Sequence, residues 1–219
     1  MKPDGPVLSK HEWFVKPCDR QAAADLIAQY HYSGSTSAFA IATFGLFHQD
    51  TPDIARGCTW WLPAMVTPSV ERLGIDRDNI VSLARLVVEP DAPKNAATFM
   101  LMRSMKQLDK WWQAAVTYAD TWQGHTGGIY KAAGWLYDGM TDPRPVYLTA
   151  EGQMTAERKG DVTYTHKEML AMGHTFLGRY EKHRYVWIRD LSTRQKNVAK
   201  GRQKIDISQL TRPTQLDMV

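Results

Sequence analysis

Cysteine is scarce in this chain: Cys18 and Cys58 are the only two among 219 residues. Two thiols cannot build a disulfide framework or a four-cysteine zinc site. The expectation is two free thiols in a reducing compartment, the cytoplasm. No stretch approaches the roughly 18–20 consecutive apolar residues of a membrane helix, which excludes a helical membrane span. The opening residues MKPDGPVLSK contain no apolar segment of the secretory type. No internal repeat, low-complexity tract or strong linker divides the chain, so one main domain is expected. Acids are scarce at one end only. From Arg179 to Lys204 the basic residues are Arg179, Lys182, Arg184, Arg189, Arg194, Lys196, Lys200, Arg202 and Lys204, opposed by Glu181 and Asp190 alone.

What is present suits a globular enzyme-sized domain. Hydrophobic residues make up 43% of the chain, enough for a substantial core. The net charge of +4 is mild, but its concentration near the C-terminus suits a polyanion such as nucleic acid. The alternative is a solvated tail. The expected division is a domain over 1–190 and a polar, basic tail over 191–219.

Local patterns predict an alternation of strands and helices. HEWFVK reads as a strand, and Asp19 can cap a helix through RQAAADLIAQY. SAFAIATFGLFHQ and IARGCTWWLPA, separated by the turn DTPD, read as a hairpin. NIVSLARLVVEP is a third, mostly apolar strand, and AATFMLMRSMKQLDKWW has helical spacing. Strands follow at 115–119, 135–137, PVYLT and KHRYVWIRD. THKEMLAMG is a short helix, with Thr165 and Glu168 forming a capping box. This order describes an α/β chain with a mixed sheet flanked by helices.

The unusual stretch is TYADTWQGHTGGIYKAAGWLYDG, from Thr117 to Gly139. An apolar strand stops at Asp120. A glycine-rich loop with His125 follows, then a short helix carrying Tyr130. Open α/β sheets gather their active sites at the carboxyl ends of strands. His31, Tyr32 and Asp120 offer the N and O donors that suit a transition metal such as iron. They can meet only if the end of the first helix lies over the end of the Asp120 strand. The alternative is a hydrogen-bonded pair of His31 and Asp120 with Tyr32 packed beside it. His125 is a further ligand or acid–base candidate, because imidazole titrates near neutrality. Arg85 stands inside an apolar strand, where a charge needs a partner: a phosphate, a carboxylate or Asp120. Trp60, Trp61, Trp111, Trp112 and Trp122 are notable because a flipped base is held by aromatic stacking. Trp122, two residues from Asp120, is the best placed of them. One member of each adjacent pair is expected to pack inward.

The element order resembles the GNAT acetyltransferases. That resemblance implies a phosphate cradle at the helix start in LARLVVEPDAPKNAATFML, with Lys94, Asn95, Ala96 and Ala97 at the cofactor and free amides facing an acyl-CoA pyrophosphate. It also implies that Tyr130 protonates a leaving group. YHYSGS, LARLVVEPDAPKNAATFML with RSM after it, YADTWQGHTGGIYKAAGW and KHRYVWI together resemble, more specifically, the Mom-type DNA modification proteins of bacteriophages, which are GNAT-like. The resemblance spans most of the chain from Tyr30 to Ile188. It implies conversion of adenine in double-stranded DNA to a carbamoylmethyl derivative at its exocyclic amine, which shields the DNA from host restriction enzymes. It further implies a bound iron at His31, Tyr32 and Asp120, and a small-molecule group donor, acyl-CoA or another. Catalytic roles fall on Tyr130, Asp120, Arg85, His125 and Ser104. DNA contacts fall on Trp122, Arg184, Arg189, Arg194, Lys196, Lys200 and Arg202. Two other readings stay open: an acyl-CoA-dependent N-acetyltransferase acting on a small amine or protein, and a DNA-binding accessory protein without catalysis. A monomer and a homodimer are equally compatible with the sequence.

Overall fold

A computed structural model describes residues 6–36, 39–64, 75–159 and 161–190. In chain order the elements are β1 (Trp13–Pro17), α1 (Arg20–Tyr30), β2 (Ala42–His48), β3 (Gly57–Pro63), β4 (Ile80–Val88), α2 (Ala96–Gln107), β5 (Ala114–Asp120), α3 (Gly128–Ala132), β6 (Leu136–Met140), β7 (Arg144–Leu148), β8 (Met154–Thr155), β9 (Arg158–Lys159), β10 (Val162–Thr163), α4 (His166–Ala171), β11 (Thr175–Tyr180) and β12 (Lys182–Ile188). Seven strands form one mixed sheet in the order β1-β2-β3-β4-β5-β12-β6. This is the α/β architecture, a mixed sheet flanked by helices, expected from the element order.

One strand pair positions the site. β4 and β5 are parallel, and their register runs only from Ile80↔Ala114 to Ser82↔Val116. Past Ser82 the two strands part. Thr117 Oγ1 donates to the Leu83 carbonyl at 3.0 Å, where the gap begins. The other neighbouring strands are antiparallel.

Helices cover both faces of the sheet. α1 begins where the Asp19 carboxylate accepts the amides of Gln21 and Ala22 at 2.8 and 3.2 Å. It buries Ala23, Leu26 and Ile27 against Cys58, Trp60 and Val87. α2 buries Leu101 and Met105 against Phe44, Trp61, Val81, Leu83 and Ala115 on the opposite face. Because β3 is central, both Trp60 (4% exposed) and Trp61 (0%) are buried, not just one of them. Each such indole removes roughly 150–250 Å² from water, about 4–6 kcal/mol at 25 cal per Å² and an upper bound for a compact unfolded chain. Trp111 is 60% exposed, and Trp112 is the inward member of its pair.

α2 stops earlier than its spacing predicts. The Asp109 carboxylate accepts the Trp111 amide at 3.0 Å, which turns the chain. The Arg189 guanidinium donates to the carbonyls of Trp112, Leu108 and Asp109 at 2.8, 3.4 and 3.3 Å. A cation at a helix C-terminus also complements the helix dipole.

β6 and β12 are neighbours in the main sheet, yet residues 141–181 intervene between them. These build a three-stranded sheet β11-β7-β8, the hairpin β9–β10 and α4. The capping box of α4 is as expected, with Thr165 and Glu168 bonded reciprocally. β11 is not legible in TFLGRY, because it has no clean alternation and Gly178 sits at a register shift. The excursion abuts the strand end that carries Asp120. Thr121 Oγ1 donates to the Glu181 carbonyl at 2.6 Å, and Gln123 Nε2 approaches Met154 Sδ at 3.5 Å. Cys18 and Cys58 are free thiols. No helix among the described residues is long and apolar enough to cross a membrane.

Candidate functional site

The geometry of the loop after β5 explains its composition. Asp120 Oδ1 accepts the amide of Trp122 at 3.1 Å and starts a single turn of 3-10 helix. Gly124 (φ +69°) and Gly127 (φ +76°) then reverse the chain in the left-handed region that favours glycine. At Gly127 a Cβ would also lie 2.2 Å from the Tyr185 ring. The Tyr185 hydroxyl donates to the Thr126 carbonyl at 2.7 Å, clamping the loop from β12. α3 therefore starts at Gly128 and folds Tyr130 back over the gap between β4 and β5.

That gap is a cavity of about 580 Å³. Tyr30, His31 and Tyr32 bound it at the end of α1, Leu86 to Val88 on β4, and residues 123–130 at its mouth. The Tyr130 ring packs on Trp135 and Tyr185 at centroid distances of 5.8 and 5.4 Å. Burial pushes its phenol above the usual tyrosine range, with a hydrogen bond to Thr117 pulling the other way. The phenol thus stays protonated at neutral pH and faces the cavity as a donor. Tyr130 is both a core aromatic and a lining residue.

His31, Tyr32 and Asp120 do meet, joined by His125. The rings of His31 and Tyr32 stack at 4.4 Å, and His125 meets Tyr32 edge-on at 5.7 Å. The Tyr32 hydroxyl approaches Asp120 Oδ2 at 3.5 Å. Asp120 is 2% exposed, and the same Oδ2 takes Lys182 Nζ at 2.8 Å. Burial, then the nearby Arg85, His125 and Lys182, lowers the His31 pKa to about 4, so the ring is neutral. Burial, then Asp120, pushes the Tyr32 phenol up to about 12.

The arrangement gives no support to a bound iron. The Ser33 amide donates to His31 Nδ1 at 3.2 Å, and the Ser33 hydroxyl lies 2.8 Å from the same nitrogen. Asp120 Oδ2 is ion-paired with the Lys182 ammonium. Among the described residues no group of three or more His, Cys, Asp or Glu is arranged to hold a metal ion. His31, Tyr32 and Asp120 stand in a hydrogen-bonded and ion-paired cluster with Ser33 and Lys182.

Other expected residues are placed differently. Arg85 does not reach Asp120. Its Nε donates to the Ser35 carbonyl at 3.0 Å and its Nη1 to the Ala84 carbonyl at 2.8 Å, tying the loop that carries His31 and Tyr32 to β4. Ser104 is 0% exposed in the core, its hydroxyl donating to the Leu101 carbonyl at 2.9 Å. Of the expected phosphate cradle, only Ala97 lines the cavity. The Lys94 amide donates to the Pro6 carbonyl at 2.9 Å and the Ala96 amide to Pro93 at 3.1 Å, while Asn95 adopts the left-handed region at φ +68°. Trp122 is partly buried and does not line the cavity. Arg184 is bound to Asp138, to its carboxylate at 2.7 Å and its carbonyl at 2.9 Å, and Arg189 donates to the carbonyls at the end of α2. Arg194, Lys196, Lys200 and Arg202 lie outside the described residues, as does the expected tail over 191–219.

Sequence reasoning missed Lys182 and Tyr185. Both lie in KHRYVWI, which reads only as a strand. Their roles come from the register of β12, which sets Lys182 opposite Asp120 and Tyr185 opposite Thr117.

The chain matches the Mom protein family over residues 12–205. No curated protein is a significant match. Among solved structures it is similar to an acetyltransferase of the GNAT family from Streptococcus pneumoniae, at 10% identity and a TM-score of 0.46, covering 81% of this chain and 99% of that one. A ribosomal-protein-alanine N-acetyltransferase from Brucella melitensis is similar at 7% identity and a TM-score of 0.47, covering 80% and 99%. Arabidopsis thaliana NAA60 in complex with acetyl-CoA is similar at 10% identity and a TM-score of 0.48, with the same coverage.

Proposed function

The chain belongs to the Mom protein family, and from that premise we propose that it is a transferase that converts adenine in double-stranded DNA to a carbamoylmethyl derivative at its exocyclic amine. The observation that carries this reading is the open cavity between β4 and β5, lined by Tyr32, His125 and Tyr130, with Asp120 buried behind the Tyr32 hydroxyl. The cavity is the place for a small-molecule group donor that carries its leaving group on the methylene carbon to be transferred; an acyl-CoA attacked at its carbonyl would instead give an N-acyl product, the outcome of the alternative acetyltransferase reading. The engaged amides of Lys94 and Ala96 make a pyrophosphate the less favoured part of such a donor.

In this reading the acceptor base is turned out of the duplex, since an exocyclic amine inside the stack is out of reach. Asp120 is the acceptor for an N–H of that amine. His31, neutral and stacked, fixes the ring of Tyr32. Tyr130 donates its hydroxyl proton or a hydrogen bond to the departing group. Trp122 and the basic arm after Asp190 bind the DNA. The modification shields DNA from restriction enzymes. DNA from cells expressing the protein should resist some restriction enzymes, and DNA from cells expressing Asp120→Ala should be cut normally. Equal cleavage of both, with soluble protein present, contradicts the reading.

The arm carries its own expectation. Truncation after Asp190 should weaken DNA binding and flatten its salt dependence, by roughly 0.9 in log–log slope for each phosphate that the arm neutralises. The folded domain should keep its melting temperature. Fluorescence anisotropy against salt, on the full chain and the truncation, measures both slopes; equal slopes would show that the arm does not touch DNA.

A further inference from the structure

Lys182 is not accounted for by the expected chemistry, yet it makes the shortest contact to the best-buried acid of the site. It is the direct cross-strand partner of Asp120 in the β12–β5 register, and its Nζ lies 2.8 Å from Oδ2. The two ends of this pair differ in surroundings: the Asp120 side chain is 2% exposed and that of Lys182 is 42% exposed. Oδ1 is committed to the Trp122 amide. Tyr32 reaches Oδ2 only at 3.5 Å. Among the described residues Lys182 therefore makes the one short contact to Oδ2.

The ammonium also has somewhere to go. Lys182 lines a second cavity of about 530 Å³ with Tyr118, Thr141, Asp142, Arg144 and Arg184. Tyr118 and Arg184 are cross-strand partners, like Asp120 and Lys182, and lie two residues along on the same face. Asp142 lines the same cavity and offers a carboxylate on that side. Removing the lysine outright would leave a buried carboxylate without a counter-charge, which is costly.

We propose that Lys182 is a positioning residue of the transfer site: its ammonium holds the Asp120 carboxylate in place behind Tyr32, and the acceptor amine takes the ammonium's place on Oδ2 when DNA binds. This rests on the transferase reading, and it adds that Asp120 is covered until the acceptor arrives.

Three full-length proteins test it: wild type, Lys182→Met, which keeps the stem without the charge, and Lys182→Arg, which keeps the charge. Lys182→Arg should melt within a few degrees of wild type, whereas Lys182→Met should melt lower yet stay folded, because it leaves the buried Asp120 carboxylate without its counter-charge. Modified adenosine in cellular DNA should fall roughly ten- to a hundredfold in Lys182→Met, the scale of removing one charge-assisted hydrogen bond. Lys182→Arg should restore most of it. Wild-type yield from Lys182→Met, or equal loss in both folded variants, overturns the proposal. A second measurement does not depend on transfer. In protein labelled with ¹⁵N-lysine, the Lys182 Nζ resonance, identified by its absence from Lys182→Arg, should move on adding a short mixed-sequence duplex. It should stay in place with a duplex of G·C pairs only. A resonance unmoved at saturating mixed duplex overturns the exchange. A wild type that yields no modified adenosine while the resonance still moves removes the transferase reading and leaves the exchange standing.

Discussion

Tyr130→Phe should reduce the yield of modified adenosine by on the order of a hundredfold or more, as the loss of a general acid does. The change removes one oxygen and leaves the ring, which packs on Trp135 and Tyr185. The fold and the melting temperature should therefore hold, apart from the hydrogen bond to Thr117. DNA affinity should barely change, because the loss is felt in the transition state and not in the bound ground state. Tyr130→Ala differs: it opens a cavity between those rings and should destabilise by ~3–5 kcal/mol. Yield, affinity and melting temperature of both variants separate chemistry from packing. A fully active Tyr130→Phe protein would end the catalytic assignment.

Gly127→Ala should be at least as damaging to activity, for a geometric reason. At φ +76° an L-residue is strained by roughly 1–2 kcal/mol. The new Cβ would also fall 2.2 Å from the Tyr185 ring, whose hydroxyl is anchored on Thr126 and cannot give way freely. Overpacking of that kind adds about 1–3 kcal/mol. The loop from Asp120 to Tyr130 should shift away from β12, taking His125 and Tyr130 from the cavity mouth. Yield should fall to background, while a melt should show a folded protein weakened by roughly 2–5 kcal/mol. Adding Tyr185→Leu should recover part of the stability by removing the clash, but not the strain in the backbone. A stable, active Gly127→Ala protein would show that the loop is not held as described.

Features set by neighbouring residues were legible in the sequence. The Asp19 cap, the Thr165–Glu168 box and the apolar strand ending at Asp120 all depend on contacts within a few positions. Features set by distant residues were not. The end of α2 depends on Arg189, 80 residues from the Asp109 carbonyl it holds. The burial of both Trp60 and Trp61 depends on β3 being central. Arg85 is a buried-strand arginine, as its apolar context suggests, but its partner is a loop carbonyl that no local pattern names. The convergence of His31, Tyr32 and Asp120 was legible as a condition, that the end of α1 lie over the end of β5, and the structure meets it. What those residues do together was not. Their donors and charges are committed by Ser33 and by Lys182, and the Lys182–Asp120 pairing follows from a strand register that connects positions far apart in the chain.

The central claim is that this chain modifies adenine in DNA, and mass spectrometry of nucleosides tests it most directly. DNA from cells expressing the full-length protein should contain an adenosine heavier by one carbamoylmethyl substituent in place of an amine hydrogen, absent from cells expressing Asp120→Ala. Unaltered nucleosides from cells that contain the soluble, folded protein would contradict it.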